Sequence, residues 1–143
     1  MASMLRAVVD TNVIYASLYS NTGASNELLR LLTAGHWKLV LSNTLCAEYE
    51  EVLTREAATL EITREEIGRF LDALCAIAER HHLKGQWIPV LNDPDDEAQV
   101  HLAFEVGVDY TVTHNVKHLD PARELGIAVL TPKEFLNILR NQP

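Results

Sequence analysis

Cysteine is scarce. Cys46 and Cys75 are the only two in 143 residues, each lies in a helical pattern, and neither has metal-type spacing. Both are read as reduced thiols of a cytoplasmic protein. Long apolar runs are missing: nothing approaches the ~20 residues of a membrane span. The opening MASMLRAVV lacks a basic start followed by a long apolar core, so no signal peptide is expected. Positive charge is also short, with 12 Lys+Arg against 20 Asp+Glu and a net charge of −8. A protein that holds nucleic acid by neutralising its backbone is usually basic, so this balance argues against tight non-specific binding. It leaves room for an enzyme that touches nucleic acid briefly through a metal. Repeats, low-complexity tracts and linkers are absent as well. With 48% hydrophobic residues, the chain reads as a single globular domain over residues 1–143.

What is present alternates between strand and helix. Ala7, Val8 and Val9 form a short β-branched apolar run that reads as a buried strand. Asp10 ends it, and the helical NVIYASLYS follows. Asp10 has two readings here: a helix cap, or a carboxylate at the ligand-binding edge of an open α/β sheet. Ser25 is placed to cap a second helix with a stripe of Leu28, Leu29, Leu31 and Leu32, which Gly35 ends. Residues 37–41, WKLVL, read as a strand, with Ser42 or Asn43 as the next cap. On the helix after it Leu45, Tyr49, Val52 and Leu53 share one face. Glu48 borders that face, as a site residue or a snorkelling acid. Glu50 and Glu51 are expected further towards solvent.

The chain is expected to be helical from Leu60 to Arg80, with Thr63 and Glu66 as a capping box and Gly85 as the breaker. His81 and His82 read as exposed polar residues. Residues 86–91, QWIPVL, suggest an edge strand because of Pro89. In NDPDDEAQVHLAFEVG, Asp93 as N-cap and Pro94 at the first position mark a helix start. That places Asp95 and Asp96 in the first turn, more acid than capping needs. Residues 109–113 and 127–130 read as the last strands. Thr131, Pro132 and Glu134 open the final helix. This alternation predicts a parallel sheet of about five strands covered by helices on both faces.

Asp10 and Asn115 follow strands, Asp96 opens a helix shortly after the edge strand, and Glu48 is expected near the start of the helix after the second strand. In a doubly wound sheet those positions converge on one carboxyl edge. Carboxylates held close together repel one another unless a cation lies between them. Oxygen-only ligands suit Mg²⁺ or Mn²⁺ with much of the shell left as water. Such a site orients a water and stabilises the leaving oxygen in phosphodiester hydrolysis.

VVDTNVIYASL, LVLSNTLCAEYEEVL, NDPDDEAQVHLAFEVGVDYTVTHNVKHL and LTPKEFL resemble the four blocks of the PIN domain family. The likeness is to the bacterial toxin components akin to VapC ribonucleases, and it covers essentially the whole chain. The resemblance implies a three-layer α/β/α PIN-like domain, dependence on Mg²⁺ or Mn²⁺, and cleavage of RNA. It also implies an antitoxin partner and a homodimer, beside the cytoplasmic location and the lack of a membrane span expected from the composition. Carried over by position, the metal-binding acids fall on Asp10, Glu48 and Asp96, and Asn115 falls at the fourth catalytic position. Asn12 matches the polar residue that braces the site, and Thr113 the threonine at the end of the fourth strand.

The departure lies in the fourth block. Many relatives read Thr-Gly-Asp or Thr-Arg-Asn there, often with an aspartate three residues on; this chain has Thr113-His114-Asn115, and then His118. A neutral Asn115 is a weaker metal ligand than a carboxylate, with Asp93 or Asp120 as partial substitutes. Two function classes therefore stand side by side: a metal-dependent endoribonuclease, and a catalytically weakened or inactive PIN-fold module that binds RNA or a protein. His114 and His118 read as metal or phosphate ligands, or as loop histidines without a role. A third class, an aspartyl phosphatase or a phospho-acceptor receiver, is disfavoured. The phosphatase needs an aspartate where Asn12 stands, and the receiver needs an acceptor aspartate at the end of a middle strand.

Overall fold

The computed structural model describes residues 4–83, 89, 91 and 96–142. Five strands form one parallel sheet: β1 (Arg6–Val9), β2 (Lys38–Ser42), β3 (Glu79–His81), β4 (Tyr110–Val112) and β5 (Val129–Leu130). Their order is β3-β2-β1-β4-β5, every pairing parallel. The chain thus winds outward from β1 through β2 to β3, then returns to the other side of β1 for β4 and β5. The point where the winding reverses lies between β1 and β4. Such a switch leaves a crevice at the carboxyl ends of the two strands. Ala7, Val8 and Val9 are buried, as are Leu39, Val40 and Leu41 of β2, as expected of strands covered on both faces.

Helices α1 (Thr11–Tyr19), α2 (Ala24–Thr33), α3 (Asn43–Arg55), α4 (Ala57–Leu60), α5 (Arg64–Ile77), α6 (Glu97–Val106), α7 (Asp120–Glu124) and α8 (Pro132–Arg140) flank the sheet, with a 3₁₀ turn at Val116–Leu119. α2 packs between α1 and α8, while α3 packs on α5 and α6 lies against β1 and β4. Trp37 seals the first group: its indole donates to the Leu28 carbonyl at 2.8 Å, and its ring meets Phe135 edge-on at 5.2 Å. The caps at Ser42, Thr63 and Thr131 are all present, the last two as complete capping boxes. α6 ends at Gly107 with φ of 71°, a conformation glycine adopts without strain.

Several local expectations are corrected. Ser25 does not cap α2; Gly23 holds that position and Ser25 is buried. The helix expected from 60 to 80 is two helices, α4 and α5, separated at Glu61, whose φ is 55°. α5 stops at Ile77, and Glu79–His81 is the edge strand, paired with β2. His81 is accordingly half-buried in a strand and contacts Glu79, while His82 is exposed. Of the strand expected at 86–91 only Pro89 and Leu91 are described, and neither is in a strand. The proposed caps Asp93 and Pro94 lie outside the described residues. The described helix begins at Glu97 with Asp96 as its cap residue.

Candidate metal centre

Asp10 leaves the carboxyl end of β1 in extended conformation and enters α1. Its backbone N–H donates to Val112 of β4 at 2.8 Å, so the residue is fixed at the switch point. The helix-cap reading fails in one respect: its carboxylate makes no capping bond to α1. Instead Oδ2 accepts from the Thr113 hydroxyl at 2.7 Å and from the Asn12 amide at 3.3 Å. Oδ1 accepts from Thr11 at 3.2 Å. Asp10 is only 8% exposed, and its small opening faces a cleft of about 520 Å³.

Thr113 is the hub of this arrangement. Its hydroxyl is fully buried, donates to Asp10, and accepts from Asn12 at 3.3 Å and from the Asn115 backbone at 3.1 Å. Asn12 extends the clamp, for its Oδ1 accepts the His114 backbone N–H at 3.2 Å. Two loops, one after each central strand, are thereby tied through three side chains.

Glu48, Asp96 and Asn115 line the same cleft as Asp10. Glu48 arrives on α3, whose seating is set one residue later: the buried Tyr49 phenol donates to the Val9 carbonyl at 2.5 Å. Burial above all, and then the charge of Asp10, push that phenol well above its ordinary pKa, so it remains a donor. Asp96 stands at the head of α6. Three residues later, buried Gln99 ties this helix to β4 by donating to Thr111 Oγ1 at 2.6 Å. Asn115 begins the 3₁₀ turn and His118 also lines the cleft. His114 faces elsewhere, with its Nε2 3.1 Å from the Ser25 hydroxyl; burial pulls its pKa below the ordinary value. Asp93 lies outside the described residues.

The sequence reading missed a second ring of cleft residues. Tyr15, Glu51, Val52, Arg55 and Glu56 line it too. Glu51 is exposed, as expected, and the surface it faces is the mouth of this cleft. Glu48, Glu51, Val52 and Arg55 recur at helical spacing on α3, a signal present in the sequence. Tyr49, Gln99 and Ser25 were missed as well, because a buried polar side chain declares its partner only in three dimensions.

The donor set fits a hard divalent cation, being carboxylate oxygens with one amide alongside. Among the described residues no three His, Cys, Asp or Glu side chains gather closely enough to enclose an ion unaided. A cation here would be held by a few carboxylates and keep water in the rest of its shell, as Mg²⁺ usually does.

An open parallel sheet whose switch point opens onto a cleft lined by acids defines an α/β protein of the doubly wound class. More narrowly, the chain belongs to the PIN domain family, whose model matches residues 6–117. Solved structures agree on the fold. A VapBC2 complex from Rickettsia felis, bound to a DNA fragment from its promoter, matches with TM-score 0.61 at 14% identity, covering 89% of this chain and 98% of that one. A protein from Pyrobaculum aerophilum matches with TM-score 0.62 at 14% identity, covering 96% and 91%. A PilT N-terminus domain protein from Sulfolobus solfataricus matches with TM-score 0.56 at 17% identity, covering 97% of each chain. No curated protein matches the chain by sequence. Among the described residues no helix is long and apolar enough to cross a membrane.

Proposed function

We propose that this protein is a metal-dependent endoribonuclease that hydrolyses RNA phosphodiester bonds, the toxin of a toxin–antitoxin pair. The observation that carries the reading is the clamp on Asp10. A carboxylate at the switch point is oriented by Thr113 and Asn12 and opens onto a cleft also lined by Glu48 and Asp96. Buried hydrogen bonds that orient a carboxylate are the support expected around a metal ligand.

Asp10, Glu48 and Asp96 would hold Mg²⁺ or Mn²⁺. A bound divalent cation supplies charge against the phosphate and lowers the pKa of an attacking water. The protein's own residues do the remainder. Thr113 and Asn12 keep Asp10 from swinging away. Glu48 and Asp96 bring oxygens from α3 and α6, and Arg55 offers a cationic side chain for a neighbouring phosphate. Asn115 contributes an uncharged polar group on the β4 side. The family supports the nuclease class, and the VapBC2 likeness supports an antitoxin partner; the proposal seats that partner over the cleft. A homodimer and a cytoplasmic location complete the reading.

The test is cleavage of mixed structured and single-stranded RNAs with Mg²⁺ or Mn²⁺, wild type beside Asp10→Asn, together with calorimetric metal titration. Metal-dependent cutting that is lost in Asp10→Asn supports the enzyme. No cutting and no metal binding by wild type overturns it.

A second reading, a weakened or inactive module that binds RNA or protein, is favoured by one feature: the neutral Asn115 on the cleft wall. Asn115→Asp discriminates. If cutting rises at least several-fold and metal binds more tightly, the native site is weakened for want of that charge. If neither changes, Asn115 imposes no such limit.

A further inference from the structure

The acidic cleft presents a difficulty for any RNA ligand. Asp10, Glu48, Glu51, Glu56 and Asp96 line it, and the whole chain carries −8. Phosphate contacts alone, which dominate most nucleic-acid binding, are poorly supplied. Binding that does not depend on charge would have to come from elsewhere, and α1 carries a feature suited to it.

Tyr15 lines the cleft, and one helical turn further on its ring stacks with Tyr19 at 5.6 Å between centroids and 22° between planes. Tyr19 is 64% exposed, a large solvent-facing ring with no role in the core. Aromatic pairs four residues apart do stabilise helices slightly, and that would account for the stacking by itself. It does not account for a stacked pair that begins inside the cleft and ends on open surface. By helical rise Tyr15 and Tyr19 are offset from Asp10 by about 7.5 and 13.5 Å along the axis of α1.

We infer that Tyr15 and Tyr19 form a stacking platform for unpaired bases next to the bond to be cut, selecting single-stranded RNA over duplex. The inference rests on the nuclease reading and names the substrate form. Stacking on aromatic rings is indifferent to base identity and needs bases that are not already paired. Because it adds no phosphate contacts, binding through it changes little with salt.

The test uses an eight-nucleotide single-stranded RNA carrying 2-aminopurine, titrated in Mg²⁺ against protein carrying Asp10→Asn so that the strand stays intact. Tyr15→Ala, Tyr19→Ala, Tyr19→Phe and Tyr19→Leu are compared on that background, with circular dichroism confirming the fold. The parent is expected to bind and quench the fluorophore with a shallow salt dependence. Either alanine should weaken binding about 5- to 10-fold and remove the quench. Tyr19→Phe should restore both and Tyr19→Leu neither, with weaker duplex binding that all variants share. Unchanged binding and quenching in both alanine variants overturns the platform while leaving the nuclease reading intact. Rescue by leucine as good as by phenylalanine also overturns it, and marks an apolar face for a protein partner. If the parent binds no RNA at all, the platform falls, while the nuclease reading stands or falls on metal-dependent cleavage by the wild type.

Discussion

The phenol of Tyr49 on α3 donates to the carbonyl of Val9 at the end of β1, at 2.5 Å in a fully buried setting. The two residues stand one position from Glu48 and one from Asp10, respectively. A single hydrogen bond therefore sets the relation between two acids that come from different elements.

Removing that bond should be felt twice. Tyr49→Phe keeps the ring but leaves the Val9 carbonyl buried without this donor, at a cost of about 1–3 kcal/mol. Urea unfolding should show a lower midpoint with an unchanged slope. Metal affinity, measured by calorimetry, should fall further than in a control such as Phe135→Leu, which disturbs the core far from the cleft. Equal loss in both variants would reduce Tyr49 to packing.

Thr113 is the second positioning residue. Thr113→Val retains shape while deleting a hydroxyl that serves Asp10, Asn12 and Asn115 together. Turnover is expected to fall about 10- to 100-fold, the range typical of lost outer-shell partners. Thr113→Ser should recover most of it. The effect should appear in kcat and metal affinity, with KM for RNA little changed.

The edge of the sheet should be sensitive to acid. Arg6 of β1 reaches across β2 to Glu79, donating from Nε at 2.9 Å, and His81 adds a second contact. The guanidinium hydrogen bond holds the Glu79 carboxyl down at about 2, against an ordinary value of 4.5. A carboxyl whose folded pKa is depressed stabilises the fold above its unfolded pKa and loses that contribution as pH falls towards the folded one. Stability attributable to Glu79 should therefore be complete at pH 5 and vanish between pH 4.5 and 2. Unfolding of wild type and Glu79→Gln should differ by up to about 1 kcal/mol at pH 5 and converge near pH 2. A gap that persists at pH 2 would assign the effect to something other than charge.

Cys46 should be a sluggish nucleophile. Burial first, then the Cys75 thiol 3.7 Å away, push its pKa up to about 11. Only the thiolate reacts, so alkylation at pH 7.5 should run more than about ten-fold slower than for free cysteine. The rate should climb steeply towards pH 11. Peptide mapping after iodoacetamide at several pH values would show it, and rapid modification of Cys46 at neutral pH would contradict it.

The elements legible in the sequence were those with a local cause. β1 and β2 are apolar runs, and the boxes at Thr63 and Thr131 are spelled out within four residues. The placing of Asp10, Asp96 and Asn115 was legible for the same reason, since each follows a strand or opens a helix, and Glu48 was legible from its place beside the buried face of α3; all four line one cleft. β3 was not. Glu-Arg-His carries no apolar signal, and short, charged edge strands rarely do. Its place is set by pairing with β2 and backed by Arg6, 73 residues before Glu79. The partners of Ser25, Tyr49 and Gln99 were hidden likewise, since each bonds to a residue on another element. Glu51 and Arg55 are a different case: their spacing from Glu48 was readable, and only the width of the cleft was unknown.

The clamp on Asp10 closes across 103 residues of chain. A polypeptide still emerging from the ribosome, with β1 to β3 made and β4 not yet released, has Glu48 and Asp10 with Thr11 and Asn12 beside it, but lacks Thr113 to complete the clamp and the far wall of the cleft. Such a half-made chain is unarmed. On the nuclease reading proposed above, that ordering keeps the clamp incomplete until the whole sheet stands, and gives a binding partner an interval in which to be ready.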